Sequence, residues 1–145
     1  MKKQKILFVY SNMGDGGTQK QKSILSRELS KKYDLTIALF ENIQLYKFYG
    51  EVIDLQSPTT HNFFLSIKYS LRRIYYLRKL FKSGQYDLVI SSSLISNFFS
   101  LFVKFFFRID IPLIITFNNS LGLKTNDMGP IGSIVAYFNK NLSKY

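Results

Sequence analysis

The sequence predicts an α/β domain built on a doubly wound, mainly parallel sheet with helices on both faces. Short β-rich runs alternate with helical patterns along the chain. The first run, Ile6-Leu7-Phe8-Val9-Tyr10, is apolar without interruption, the mark of a strand buried on both faces. With 145 residues, 46% hydrophobic and 20% charged, the chain is apolar enough to form one core of ordinary domain size. That composition excludes a disordered tail. There is no internal repeat and no low-complexity linker, so residues 1–145 read as one unit.

The elements follow in order. After Ile6 to Tyr10 comes a glycine-rich turn, Asn12-Met13-Gly14-Asp15-Gly16-Gly17. Thr18 to Lys32 reads as a helix, with Ile24, Leu25 and Leu29 at helical spacing. Leu35 to Phe40 is the second strand, and Glu51 to Leu55, closed by Ser57-Pro58, a weaker third. Asn62 to Lys82 is a long helix in which Ile67, Leu71, Ile74, Leu77 and Phe81 recur at steps of four and three. Asp87 to Ile90 is a strand, Ser96 to Phe107 a helix buried on most sides, and Pro112 to Phe117 a strand. A polar loop from Asn118 to Pro130 leads to a further helix, Ile131 to Leu142. Strand–helix alternation with buried strands gives a parallel sheet covered on both faces.

Composition narrows the chemistry. No cysteine is present, which excludes disulfide scaffolds, zinc–thiolate sites and cysteine nucleophiles; a single histidine excludes a His-rich metal cluster. Twenty Lys and Arg stand against nine Asp and Glu, a net charge of +11. Such an excess attracts phosphates, whether of nucleic acid, nucleotides or anionic lipid headgroups; a coding bias towards Lys, Phe, Ile, Tyr and Asn is the bland alternative. The basic start, Met1 to Lys5, precedes an apolar run too short for a signal peptide. The most apolar window, Phe98 to Phe117, is interrupted by Lys104, Arg108, Asp110 and Pro112, which argues against a spanning helix. A cytosolic protein is expected.

In an open parallel sheet, ligands bind outside the carboxyl ends of the strands. Gly14 to Gly17 lies between a strand and a helix, where close backbone approach and free helix amides favour an anion. It is neither the dinucleotide fingerprint, since position 19 is Gln19, nor a P-loop; a plain tight turn is the other reading. Ser91-Ser92-Ser93 ends a strand, with hydroxyls for a sugar or phosphate or for capping the next helix. Asn118-Asn119-Ser120 offers amides for a polyol, or serves the turn. Glu41-Asn42 ends the second strand, and a carboxylate there suits a ribose only weakly without the fingerprint.

Between Asp54 and Asp87 no acidic residue occurs, while Lys68, Arg72, Arg73, Arg78, Lys79 and Lys82 all do. Lys68, Arg72, Tyr75, Lys79 and Lys82 share a helix face that suits anionic lipid headgroups or is simply solvated. Arg78 falls on the apolar side and is expected to snorkel outward. His61 reads as a cap or surface residue.

Several of these motifs, in this order, resemble the amino-terminal, acceptor-side domain of family-4-like GT-B glycosyltransferases. They are Lys5-Ile6-Leu7-Phe8-Val9, the loop ending Gly16-Gly17-Thr18-Gln19, the helix with Leu25-Ser26-Arg27-Glu28-Leu29-Ser30-Lys31, Asp87-Leu88-Val89-Ile90-Ser91, and Ile111 to Asn119. The resemblance covers essentially the whole chain. It implies one Rossmann-like half of an enzyme whose other half binds the nucleotide-sugar and carries a Glu-x7-Glu motif. It further implies retention of anomeric configuration, transfer to a cell-surface polysaccharide or glycolipid, and a place at the inner membrane face. No cofactor and no essential metal is expected beyond the nucleotide-sugar co-substrate. Gly16 and Gly17 are expected at the donor diphosphate, where amides stabilise charge on the leaving phosphate. Asp15, Thr18, Ser92, Asn118 and Asn119 are expected near the acceptor, and Lys68, Arg72, Arg73, Lys79 and Lys82 at the membrane surface.

Asn118 stands where members of the family often carry a histidine; an amide hydrogen-bonds but cannot act as a base, so no catalytic residue is assigned. The chain ends at Leu142-Ser143-Lys144-Tyr145, where the family continues into another strand and then the donor half. The expectation is therefore an unfinished acceptor domain that does not turn over alone. The alternative is a non-catalytic docking subunit of a split, membrane-associated glycosyltransferase. A nucleic-acid binder is the third class, and no groove-reading or stacking motif supports it.

Overall fold

The computed structural model describes residues 3–14 and 16–117. Five strands and three helices alternate: β1 (Lys5–Tyr10), α1 (Gly17–Leu29), β2 (Asp34–Leu39), β3 (Glu51–Asp54), α2 (Phe63–Lys82), β4 (Leu88–Ser92), α3 (Leu94–Phe106) and β5 (Leu113–Thr116). The strands form one sheet in the order β3-β2-β1-β4-β5, and every pairing is parallel. The expected α/β architecture is the observed one, and each boundary moves by only a few residues. The loop and helix expected after Phe117 lie outside the described residues.

The uninterrupted apolar run makes β1 the central strand. It pairs with β2 from Lys5↔Asp34 to Tyr10↔Leu39 and with β4 from Ile6↔Leu88 to Tyr10↔Ser92. Side chains alternate across the sheet, so its residues feed two cores. Leu7 and Val9, with Ala38 and Val89, meet Leu77 and Phe81 of α2 and Phe99 and Val103 of α3. Ile6 and Phe8, with Leu35, Ile37 and Leu39, meet Phe48 and, less buried, Leu29 of α1. Helices thus cover both faces.

The helix faces are less simple than the spacing suggests. Ile24 and Leu25 of α1 are largely exposed; its one fully buried residue is Ser26. The reason is the β2–β3 connection, which docks on this helix. Ser23 Oγ donates to the Lys47 carbonyl (2.6 Å), and Ser26 Oγ accepts from the Tyr49 amide (3.2 Å). A small inward side chain leaves room for that segment, and Phe48 supplies the apolar contact instead. In α2 the buried residues are Arg73, Leu77 and Phe81, while Ile67 and Leu71 face out.

Arg73 therefore corrects the membrane-surface expectation: it is 6% exposed. Its guanidinium lies over the rings of Phe40 (4.7 Å) and Phe99 (5.3 Å) and donates to the Ser57 carbonyl and hydroxyl. Burial pulls it down to about 10, opposed by the charge of Glu41. The planar, weakly hydrated cation is suited to such a stacked, hydrogen-bonded place. It ties the turn after β3 to the second helix, since Ser57 also bonds the Phe40 carbonyl through its amide at 2.7 Å. Arg73→Ala should cost about 2–4 kcal/mol in urea denaturation, from the lost packing and the orphaned Ser57 carbonyl. A loss within about 0.5 kcal/mol, the range of ordinary surface changes, would contradict this role.

Candidate functional site

The chain leaves β1 towards β2 through α1, and leaves β4 towards β5 through α3 on the other face. The direction of winding reverses between β1 and β4, which opens a crevice at their carboxyl ends. Both helices enter the crevice from a residue in the same unusual backbone conformation. Gly16, the N-cap of α1, has φ 146° and ψ 154°; Ser93, the N-cap of α3, has φ 119° and ψ 152°. That region is essentially a glycine conformation and stores strain. Ser93 is held in it by its hydroxyl, which lies 2.8 Å from Ser11 Oγ, 2.7 Å from Ser96 Oγ, and accepts from the Ser96 amide at 3.3 Å. The serine run thus contributes the expected cap at Ser93.

The glycine loop is braced from behind. Met13 donates its amide to the Ile43 carbonyl (2.9 Å) and accepts from Leu45 (3.0 Å), while Gly14 donates to Asn12 Oδ1 (3.2 Å). Gly16 and Gly17 are not equivalent. Gly16 needs its positive φ; Gly17, the first residue of α1, is exposed, and a Cβ there would meet nothing within 4 Å.

A cavity of about 70 Å³ occupies the crevice, lined by Tyr10, Ser11, Asn12, Thr18, Gln19, Lys22, Ser92 and Ser93. Thr18 and Ser92, both expected at the acceptor, meet here. Asp15, Asn118 and Asn119 lie outside the described residues. Tyr10, Ser11 and Lys22 were not singled out from the sequence, whereas Ser93 belongs to the serine run expected here. Lys22 follows Thr18 by four residues and precedes Ser26 by four, so one stripe of α1 carries all three inward; that spacing was the available signal. Burial pushes the Tyr10 phenol far above its ordinary value, opposed by Ser92, and pulls the Lys22 ammonium down. None of the described lining residues is a carboxylate or a histidine. The described lining can hold an anion or a polyol through hydroxyls, an amide, an ammonium and helix amides. A wider depression of about 670 Å³ opens at the amino ends of the strands, around Tyr33, Gly50 and Tyr86, away from the helix N-termini.

Among the described residues no group of three or more His, Cys, Asp or Glu is placed to hold a metal ion. Lys68, Lys79 and Lys82 are exposed on α2. Arg72 is half-buried, donating to the Leu55 carbonyl (2.7 Å) and Gln56 Oε1 (2.9 Å). Arg78 turns outward as expected, its guanidinium 4.6 Å from the Phe107 ring centre.

No protein-family model and no curated protein matches the chain. Solved structures do. A lipopolysaccharide outer core galactosyltransferase, WaaB, superposes with a TM-score of 0.61 at 17% identity, over 92% of this chain and 37% of that one. A UDP-N-acetylglucosamine 2-epimerase gives 0.55 at 15% identity, over 94% and 38%. The C-terminal domain of PF1911 hydrogenase from Pyrococcus furiosus gives 0.51 at 18% identity, over 80% and 94%. At these identities the likeness is one of fold, and the chain spans under two fifths of the length of the two sugar enzymes.

The two loop glycines should separate in stability measurements. Gly16→Ala should cost about 1–3 kcal/mol by forcing a side chain into a glycine-only conformation. Gly17→Val should stay within about 0.5 kcal/mol of the parent, because it is exposed and unhindered. Equal losses at both positions would mean that Gly17 is also structural.

Proposed function

We propose that the chain is the acceptor-side half of a retaining GT-B glycosyltransferase that moves a sugar from a nucleotide donor to a cell-surface polysaccharide or glycolipid. The observation that carries this reading is the switch-point crevice, where the first turn of α1, through Thr18 and Gln19, and the hydroxyls of Ser11, Ser92 and Ser93 line the same space just after the glycine loop. Two of the fold's likenesses are to proteins named for sugar chemistry, which supports the reading at the level of fold. In it, the amides at Gly16 and Gly17 face the donor diphosphate, Thr18 and Ser92 face the acceptor, and a second unit supplies the nucleotide-sugar site. The chain by itself then binds without turnover.

The test uses a polypeptide or chain pair that contains this domain and a nucleotide-sugar-binding half, scored by transfer of labelled sugar to membrane acceptors. Gly17→Val should lower transfer by about 10²-fold, the scale of a lost charge-stabilising amide contact, while the melting curve holds. Undiminished transfer would remove the loop from the site. A docking subunit would show stimulation of a partner that already transfers sugar without it.

The reading includes an anionic membrane surface, and α2 is the element that supports it. Its outward face carries Phe63, Phe64 (80% exposed), Ile67, Leu71 (63% exposed) and Tyr75 over the first turns, then Arg78, Lys79 and Lys82 over the last. This helix contains no acidic residue. Apolar side chains enter the headgroup boundary, while each cation contributes about 1 kcal/mol against anionic lipid. Pairing of two copies through this face would bring two cation-only helices together. No helix among the described residues is long and apolar enough to cross a membrane. The chain should co-sediment with phosphatidylglycerol-containing vesicles and not with pure phosphatidylcholine. Leu71→Glu should abolish that binding, and Lys79→Glu/Lys82→Glu should make it vanish at moderate salt. Equal binding to both vesicles, or to neither, would overturn the membrane assignment.

A further inference from the structure

We propose that Lys22 is the oxyanion-binding residue of the switch-point crevice: its ammonium, set over the carboxyl ends of β1, β4 and β5, takes a phosphoryl or carboxylate group of the ligand. On the glycosyltransferase reading, with which this inference is consistent and which it sharpens, that group belongs to the acceptor, and the acceptor is anionic.

Strand register puts the pieces together. Tyr10 pairs with Ser92 and Ser92 with Thr116, so three hydroxyl-bearing residues form one row at the carboxyl edge of the sheet. Lys22 reaches across this row from α1. Its Nζ stands 3.5 Å from Thr116 Oγ1 and 5.8 Å from the centre of the Tyr10 ring. An ammonium has three donors, and among the described residues Lys22 makes that one long hydrogen bond. The ion pairs of the described residues are Glu28 with Arg27 and with Lys31, on the exposed side of the same helix. Lys22 is half-buried without a described counter-charge, whereas Lys20 and Arg27 of the same helix point to solvent.

Removing a cation from water without a partner is unfavourable. Burial accordingly favours the neutral amine, and no described group opposes it. A lysine serving only to cover apolar surface would extend its ammonium into solvent; this one turns inward over hydroxyls. The cavity of about 70 Å³ beside it has the volume of roughly two liquid waters, enough for the head of one oxyanion. Its remaining described lining supplies hydroxyls, amides and the first turn of α1, which complement negative charge. A neutral sugar would satisfy the hydroxyls and leave the cation uncompensated.

The experiment titrates the full chain with inorganic phosphate, glucuronate and neutral glucose at constant ionic strength, followed by amide chemical shifts. Phosphate or glucuronate should bind saturably, and whichever binds more tightly identifies the class of acidic group. Lys22→Met should weaken that binding about tenfold or more, the scale of a charge-assisted hydrogen bond. Lys22→Arg should hold it within about threefold, since charge and donors remain. Lys20→Met, on the exposed side, should leave it unchanged. The melting temperature of Lys22→Met should be equal to or above that of the parent, because an uncompensated cation has been removed. Unchanged binding in Lys22→Met, equal binding of glucose, or a clearly lower melting temperature would overturn the assignment. So would failure of both anions to bind the parent chain, and that result would leave the Gly17→Val transfer assay standing as the separate test of the glycosyltransferase reading.

Discussion

The constraint on which the molecule depends is that β1 is apolar on both faces. A strand with Leu7 and Val9 on one side and Ile6 and Phe8 on the other can be buried only at the centre of a sheet covered twice. Right-handed parallel crossovers then force the chain to wind away from β1 in opposite senses on its two sides. The crevice between β1 and β4 follows from that reversal. Its two rims are helix N-termini, reached through Gly16 and Ser93 in matching strained conformations. Apolar sequence in the middle of the sheet therefore decides where polar sequence at its edge can converge.

Two cations withdrawn from water show how differently the fold treats charge. Arg73 is nearly inaccessible and satisfied: two aromatic faces, a carbonyl and a hydroxyl surround it, and Glu41 adds a favourable field. It acts as a clamp between α2 and the turn after β3. Lys22 is less buried and less satisfied, with one long bond to Thr116 and a distant ring. The first arrangement is satisfied within the described residues; the second has no counter-charge among them. Burial alone does not separate a structural cation from a ligand-binding one. The number of partners it already has does.

Much of this was legible in the sequence because strands buried on both faces leave an unambiguous apolar run, and because glycines and serines gather where strands end. The order of the elements and the crevice location, with Thr18 and Ser92 lining its cavity, came from those signals. The helices were read less well, since periodicity reports an apolar stripe and not which way it faces. In α2 the stripe through Ile67 and Leu71 looks outward, and the inward positions begin with an arginine that hydropathy assigns to the surface. In α1 the inward residues are Lys22 and Ser26, chosen for a packed loop and a crevice instead of for apolarity. Tertiary partners that arrive from distant sequence, Ser57 for Arg73 and Thr116 for Lys22, carry no local signature.

The described lining of the crevice is one-sided in its chemistry. It donates hydrogen bonds and positive charge and contains no carboxylate or imidazole. Such a surface can orient a ligand and offset negative charge, which are the tasks of one wall of a transfer site. The open position at Gly17 and the ammonium of Lys22, which has no counter-charge among the described residues, are the two features of α1 that packing within the described fold does not account for.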